Sequence, residues 1–213
     1  MRILIVEDHQ LIRDMLAISC GSLFPASTIE TFRRAADGLA ACERLPPDLV
    51  LLDLVLPDAD GVDVAPRFFE LAPACRLIAL TSFTDEFTVY RALRANVHGF
   101  IDKNEQPLHV LGVAIQTVMA GERYLSPAAL RVRASLRSDP HSFDKLLSDH
   151  EQRLLGLFGE GLSNEAVAAK IALSPATVKA HRRNILSKLG IHSTPELMHY
   201  AMEKGFTRVR RSS

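Results

Sequence analysis

The 213-residue chain has no tryptophan, only three cysteines, and no apolar run near the roughly 20 residues a membrane-crossing helix needs. Cys20, Cys42 and Cys75 are odd in number and widely spaced, which supports neither a disulfide framework nor a zinc site. Each sits among apolar or small neighbours and reads as a buried small hydrophobe. The N-terminal apolar run, Ile3–Val6, is too short for a signal peptide and stops at Glu7-Asp8. Export is therefore not expected, no membrane partner is implied, and the cytoplasm is the expected compartment. Internal repeats and low-complexity tracts are also missing. What is present is a globular composition, 47% hydrophobic and 23% charged, enough for one large domain or two small ones.

The net charge is zero, but it is unevenly placed. Residues 1–125 carry 11 Lys and Arg against 17 Asp and Glu, a net of −6; residues 126–213 carry 14 against 8, a net of +6. An acidic half joined to a basic half suggests that only the second half meets nucleic acid.

Five short runs rich in Ile, Leu and Val punctuate the first 120 residues: 2–6, 28–32, 49–52, 77–80 and 99–101. They are too short for helices and read as strands buried on both faces. Segments of helical length lie between and after them, near 10–22, 35–44, 62–72, 86–95 and 107–120. Five such units predict a doubly wound parallel sheet with helices on both faces. After Gly121 the pattern changes. Ser126-Pro127 is a helix-start signal, and residues 131–141 read as a linker with room for one helix. From Ser148 onward only helical periodicity remains, with helices expected near 149–159, 164–170, 176–189 and 194–204; Ser148-Asp149-His150-Glu151 has the capping-box pattern. The basic tail 208–213 is expected to fray. The expected architecture is thus α/β, a five-stranded parallel sheet over 1–121, a partly helical linker over 122–145, and an all-α four-helix domain over 146–213.

In a parallel α/β sheet, functional side chains collect at the C-terminal strand ends. Glu7 and Asp8 end the first strand, Asp53 the third, Thr81 and Ser82 the fourth, and Lys103 follows the fifth. Three crowded carboxylates repel unless a hard cation joins them, and Mg²⁺ favours one or two carboxylates, water and phosphate oxygens. One carboxylate can then attack a phosphoryl donor and form an aspartyl phosphate, with Lys103, Thr81 and local N–H groups receiving the transferred charge. Any one of these residues alone reads as a turn residue, a helix cap or a solvated charge. The ordered set carries the reading.

The stretches "ILIVEDH", "LVLLDLVLPDADG", "LIALTS" and "GFIDK" resemble the receiver domain of two-component signalling, a flavodoxin-like fold. The resemblance implies Asp53 as phosphoacceptor, Asp8 as a direct Mg²⁺ ligand, Glu7 as an acid acting mainly through water, and the Val55 carbonyl as a backbone ligand. It implies that Thr81, Ser82 and Lys103 bind the phosphoryl group, that Pro57 and Gly61 shape the loop after it, and that Phe100 holds the place of an aromatic switch residue. Phe100 reads equally as an ordinary core aromatic. Relatives often carry Gly-Ala where this chain has Asn96-Val97-His98-Gly99. In this fold the side chains at Val55 and Phe83 flank the path of hydrolytic water, and neither offers water a hydrogen-bond partner.

In "GLSNEAVAAKIALSPATVKAHRRNILSKLGI", Ser163 caps one helix and Ser174-Pro175 opens the next. Val167, Ala168 and Ile171 form one apolar stripe, and Val178, Ile185 and Leu189 another. Ala176, Lys179, Ala180, Arg183 and Ser187 share a small, polar and basic face suited to a major groove. The segment resembles the LuxR/NarL-type helix-turn-helix over about residues 146–204. By that resemblance Lys179, Ala180 and Arg183 read base edges, while Ser174, Thr177, Arg182, Asn184 and Lys188 contact phosphates. His181 is expected to pack inward. The helix 194–204 forms the dimer contact in relatives, which often carry Arg near Thr194.

Together these resemblances describe a response regulator of the NarL/FixJ type. They imply a phosphorylation-controlled transcription regulator with a sensor histidine kinase and double-stranded promoter DNA as partners, acting as a homodimer on DNA. Its only catalysis would be its own phosphoryl transfer and dephosphorylation. Two other readings stay open. A haloacid-dehalogenase-like phosphotransferase would place an acid two residues after the nucleophile, where this chain has Val55, which transfers no proton. A constitutive DNA-binding protein would use the first half only as a dimerisation module.

Overall fold

The computed structural model describes residues 1–105 and 107–207. The expectation for 208–213 lies outside the described residues. The chain forms two compact units, one of Met1–Thr84 with Val89–Arg131, the other of Asp85–Thr88 with the chain from Val132 onward.

The first unit runs β1 (Arg2–Val6), α1 (Gln10–Leu23), β2 (Thr28–Phe32), α2 (Ala35–Arg44), β3 (Leu49–Asp53), α3 (Gly61–Leu71), β4 (Arg76–Thr81), α4 (Glu86–Arg94, whose first residues cluster with the second unit), β5 (Gly99–Asp102), α5 (Pro107–Met119) and β6 (Tyr124–Leu125). The strands make one sheet in the order β2-β1-β3-β4-β5-β6, parallel throughout. Its sixth strand is an addition to the five expected. The two residues of β6 pair with Gly99 and Phe100, too short a run to show any period.

Apolar residues on both faces of the middle strands build the core. Ile3, Ile5, Leu49, Leu51, Ile78, Leu80 and Ile101 pack against Leu16 and Cys20 of α1 and Leu111, Ala114, Ile115 and Val118 of α5. The intervening Leu4, Val6, Val50, Leu52, Leu77 and Ala79 are buried on the other face. Each buried Val, Leu or Ile among them is worth roughly 1.5–3 kcal/mol of transfer free energy. β2 departs from the expectation of strands buried on both faces. It lies at the sheet edge, with Thr28 and Thr31 exposed and none of its five residues fully buried. The three cysteines are buried and free, and burial pushes the Cys20 thiol up to about 11 and the Cys75 thiol to about 12. At the unusual 96–99 segment, Asn96 takes a left-handed turn (φ 58°), and His98 Nδ1 accepts from the Leu77 N–H at 3.1 Å.

α6 (Pro127–Ser138) begins after Ser126, whose hydroxyl accepts from the Ala129 N–H. It occupies half of the 122–145 segment read as a partly helical linker. The second unit continues with α7 (Phe143–Leu146), α8 (Asp149–Gly159), α9 (Asn164–Ile171), α10 (Pro175–Leu189) and α11 (Thr194–Glu203). Ser148 and Glu151 form a complete capping box on α8, and Ser163, Ser174 and Ser193 each accept an N–H of the following helix. Val167, Val178, Ile185, Leu154, Leu155, Phe158, Leu197 and Ala201 form its buried interior. Among the described residues no helix is long and apolar enough to cross a membrane.

Candidate phosphoacceptor centre and nucleic-acid interface

A parallel sheet places every strand's C-terminal end on one edge, and the acid set assembles there. Glu7 follows β1 directly, Asp53 and Thr81 are the last residues of β3 and β4, and Lys103 follows β5. Glu7, Asp8 and Asp53 each offer a carboxylate oxygen within 4.8 Å of the others. Glu7, Asp53 and Thr81 are buried, and Asp8 is the more open member. The Lys103 ammonium bridges two of the acids, 2.6 Å from Glu7 Oε2 and 2.9 Å from Asp53 Oδ2. Asp53 Oδ1 accepts the Val55 N–H at 3.1 Å, which leaves Oδ2 facing Lys103.

Burial raises the Asp53 carboxyl above its ordinary value, against the pull of Lys103 and the Val55 N–H. Burial, then the neighbouring Asp53, raises Glu7 in the same way. One lysine therefore does not neutralise the cluster. Glu7 Oε2 is buried with the ammonium beside it but without an aligned hydrogen bond. A second, hard cation fits this donor set: all ligands are oxygen, two of them desolvated and one open to water.

The surrounding loops are held by side chains that sequence reasoning missed. Asp58 reaches across to cap α2, accepting from the N–H groups of Ala35 and Ala36 at 3.0 and 3.1 Å; the helix's own N-cap residue, Arg34, makes no such bond. The Asp58 partners lie 22 and 23 residues away, so no local pattern announces them. Asp60 caps α3 through the Val62 N–H, a role its position just before the helix does signal. Arg91 of α4 spans Asp60 and Asp63 at 2.8 and 2.7 Å, tying α4 to the loop after Asp53. A Cβ on Gly61 would overlap the Asp53 carbonyl oxygen, so this close return of the loop requires glycine. Arg13 holds the β1–α1 turn, donating to the Glu7 and Asp8 carbonyls.

Thr81 Oγ1 accepts the Phe83 N–H at 3.1 Å, and the Thr81 carbonyl accepts the Lys103 N–H at 2.8 Å. Ser82 is exposed, and its carbonyl accepts from Asn104 Nδ2. Val55 and Phe83 are 41% and 40% exposed, so neither is withdrawn into the core. Phe100 is wholly buried in β5, with its neighbour Ile101 on the opposite, α1/α5 side of the sheet. That is the position of a core aromatic, from which a switching ring would have to move.

In the second unit, α9 and α10 form a capped helix pair. Ala172 (φ 54°) makes the left-handed turn out of α9, and Ser174 opens α10. Ala176, Lys179, Ala180, Arg183, Asn184 and Ser187 all lie exposed along α10. Ser174 and Thr177 are exposed but share a hydroxyl–hydroxyl bond of 2.7 Å. Two of the side chains expected to contact phosphate have partners within the unit. Arg182 donates to the Leu162 carbonyl at 2.8 Å and stacks on the Phe158 ring at 4.2 Å. Desolvation lowers its pKa, only partly offset by Glu165. Lys188 pairs with Glu151 at 2.7 Å, joining α10 to the capping box of α8. His181 is half-buried, edge-on to His150.

Residues 3–114 match the family described as response regulator receiver domain, and residues 145–201 match bacterial regulatory proteins of the luxR family. The oxygen regulatory protein NreC of Staphylococcus aureus is 32% identical, covering 96% of this chain and 98% of its own. The Fimbriae Z protein of Salmonella typhimurium is 31% identical, covering 93% and 95%. Among solved structures, RcsB from Salmonella enterica serovar Typhimurium, bound to a promoter in the presence of a phosphomimetic, superposes with a TM-score of 0.67 at 20% identity, covering 96% of this chain and 98% of its own. Matched in both halves and along nearly its whole length, the chain belongs to the response regulators that join a receiver to a LuxR-type helix-turn-helix, the NarL/FixJ type, and is a phosphorylation-controlled, DNA-binding transcription regulator.

Proposed function

We propose that Asp53 is the residue phosphorylated, by a sensor histidine kinase, and that the modification governs binding of a dimer to promoter DNA in the cytoplasm. The observation that carries this reading is the Asp53 carboxylate itself: buried at the C-terminal sheet edge, with one oxygen toward Lys103 and two further acids within 4.8 Å. Asp53 Oδ2 attacks the phosphorus of the donor phosphohistidine, forming an O–P bond as the N–P bond breaks, and the imidazole leaves with the electron pair. Lys103 then shifts from the carboxylate to the phosphoryl oxygens, and Thr81 and Ser82 supply hydroxyl and backbone donors. Glu7, Asp8, Asp53 and the Val55 carbonyl are the groups that would hold Mg²⁺, which when bound neutralises charge on the transferred group. Loss of the phosphoryl group to water is the only other chemistry we assign to the receiver, taken as residues 1–121.

Residues 146–213 form the DNA-binding domain of this reading, with 122–145 between the two. RcsB, which shares the fold, is solved as dimers on DNA. We assign base-edge contacts to Lys179, Ala180 and Arg183 and phosphate contacts to Ser174, Thr177 and Asn184, all exposed on or at the start of α10. Arg182 and Lys188, with internal partners, set the pose of the helix.

Purified protein incubated with acetyl phosphate and Mg²⁺ and run on a phosphate-retention gel tests the acceptor. Wild type should shift, Asp53→Asn should not, and EDTA should abolish the shift. An undiminished shift in Asp53→Asn means that the phosphoacceptor is another residue.

A further inference from the structure

We infer that Arg91 of α4 is a positioning residue for the cation that the acid set would hold: acting through Asp60, it fixes the place of the Val55 carbonyl. This deepens the reading of Glu7, Asp8, Asp53 and Val55 as a Mg²⁺ site and rests on it.

Of the groups assigned there, only the Val55 carbonyl belongs to the main chain, so the backbone alone sets its place. The loop that carries it is closed on itself. The Leu54 N–H donates to the Leu80 carbonyl at 3.1 Å, and the Gly61 N–H to the Leu54 carbonyl at 3.0 Å. Val55 and Asp60 pair as an isolated antiparallel bridge, and the Leu56 N–H donates to the Ala59 carbonyl between them. The Val55 N–H in turn donates to Asp53 Oδ1. Displacing Asp60 therefore displaces Val55, and with it the turn that holds the Asp53 carboxylate.

These bonds hold a stretch of chain that repels itself. Residues 53–63 contain four aspartates, at 53, 58, 60 and 63, and no lysine or arginine. Their compensation comes from elsewhere in the fold. Lys103 serves Asp53. Asp58 rests on the Ala35 and Ala36 N–H groups, with Arg34 at 3.8 Å. Asp60 and Asp63 share Arg91, whose guanidinium reaches Asp60 Oδ2 at 2.8 Å and Asp63 Oδ1 at 2.7 Å. Burial opposes the Arg91 charge, but the two carboxylates outweigh it and raise its pKa. Asp60 Oδ1 meanwhile accepts the Val62 N–H. One side chain thus caps α3 and receives Arg91, which pins the end of the loop from two directions. A planar guanidinium spans two carboxylates in a fixed geometry, as an ammonium does not.

Position and charge make opposite predictions for the metal. Acting only through its field, Arg91 would repel a cation, and its removal would tighten binding. Acting on the Val55 carbonyl, it keeps a ligand in place, and its removal weakens binding. The sign of the change separates the two.

Mn²⁺, which like Mg²⁺ takes octahedral oxygen ligands, is the probe. The paramagnetic resonance signal of free Mn²⁺ is titrated with the full chain, and the binding lost in Asp8→Asn is taken as the site. We expect Arg91→Met to raise Kd at least about five-fold, less than the loss usual for a group bonded directly to a ligand, since Arg91 acts through Asp60. Arg91→Lys keeps the charge without the fork and should fall between. Asp60→Asn keeps an N-cap acceptor, and combined with Arg91→Met it should weaken binding less than the two single changes summed. With acetyl phosphate as donor, Arg91→Met should raise the Mg²⁺ concentration giving half-maximal rate and leave the rate at saturating Mg²⁺ near that of wild type. A general loss of structure would lower both. The thermal midpoint should hardly move, because a partly exposed ion pair adds little to stability. Arg67→Met, which removes a surface cation paired with Glu70 on α3, should leave Kd as it was. An unchanged or lower Kd in Arg91→Met overturns the inference, as does strict additivity with Asp60→Asn. A wild type that binds no Mn²⁺ overturns the Mg²⁺ reading itself, and the inference with it.

Discussion

The two units treat their buried acids in opposite ways. In the receiver, Glu7 and Asp53 share one lysine, and burial lifts both carboxyls above their ordinary range. In the DNA-binding unit, burial pushes Glu151 up as well. There the hydrogen bonds from Lys188 and from the Ser148 N–H and hydroxyl outweigh it, and its pKa falls. The same residue type is thus left incompletely compensated in one unit and fully compensated in the other. An under-compensated acidic site gains from each cation it takes up, and a site so poised can serve as a switch. A fully compensated one holds a helix in a single pose, which is what a reader of DNA requires.

The largest effect should come from removing compensation in the second unit. Arg182→Ala strands the Leu162 carbonyl and uncovers Phe158, and should cost about 2–3 kcal/mol of that unit's stability. Arg182→Lys should recover part of this. If Arg182 contacts phosphate instead, the alanine variant will unfold in urea like wild type while its DNA affinity loses salt dependence. The receiver should respond with the opposite sign. Asp53→Asn removes a desolvated charge while Lys103 keeps Glu7 as partner, so we expect stabilisation of about 1 kcal/mol in metal-free buffer. A destabilised Asp53→Asn would break the comparison at its root.

The opposed shifts also set opposed pH responses. With raised carboxyls, Glu7 and Asp53 bind protons more tightly in the folded receiver than in its unfolded chain. Their contribution to stability therefore grows as pH falls from neutral toward the ordinary carboxylate range near 4. Glu151 has a lowered value, so its contribution is complete above the ordinary glutamate range and is lost as pH falls through the folded value. Hydrogen exchange on the full chain in EDTA, followed from pH 7 to pH 4, should show receiver protection strengthening first and helix-turn-helix protection failing last. Glu151→Gln should remove the acid-side loss. Parallel trends in the two units would show that the carboxylates do not control them.

Much of this was legible in the sequence, and what escaped was either too short to show a period or paired across the fold. The five main strands and nine of the helices follow period and length, and their bounds fall within one or two residues of expectation. The acid set was readable because strand ends in a parallel sheet converge whatever their distance in sequence. The two-residue β6 has no period to read. Asp58 capping a helix 22 residues earlier, Arg91 clasping Asp60 and Asp63, and Lys188 returning to Glu151 are all tertiary pairings. Arg182 is a further case. By spacing it belongs with the cations of α10, and only the position of Leu162 and Phe158 turns it inward.

The smallest effect we expect concerns how long the charged switch persists. Hydrolysis of an aspartyl phosphate needs a water in line with the scissile bond, and side chains beside that line orient the water or exclude it. Val55, two residues after Asp53, and Phe83, two after Thr81, are each exposed by about two-fifths at the sheet edge that carries Asp53. Neither can hydrogen-bond water through its side chain, and Phe83 is bulky. Release of phosphate should therefore be slow, as suits a transcriptional response. Val55→Asn, which can hold a water, and Phe83→Ala, which opens space, should each hasten it about threefold, or roughly 0.7 kcal/mol of barrier. The measurement is a phosphate-release time course after rapid removal of the donor, with Mg²⁺ present throughout. Equal rates in all three proteins would move control of the lifetime to Lys103, the metal or a partner phosphatase. A faster Val55→Asn with an unchanged Phe83→Ala would show that water is limited by orientation rather than by access. The under-compensation of Asp53 would then govern how readily the switch is set, and the side chain at position 55 how long it stays set.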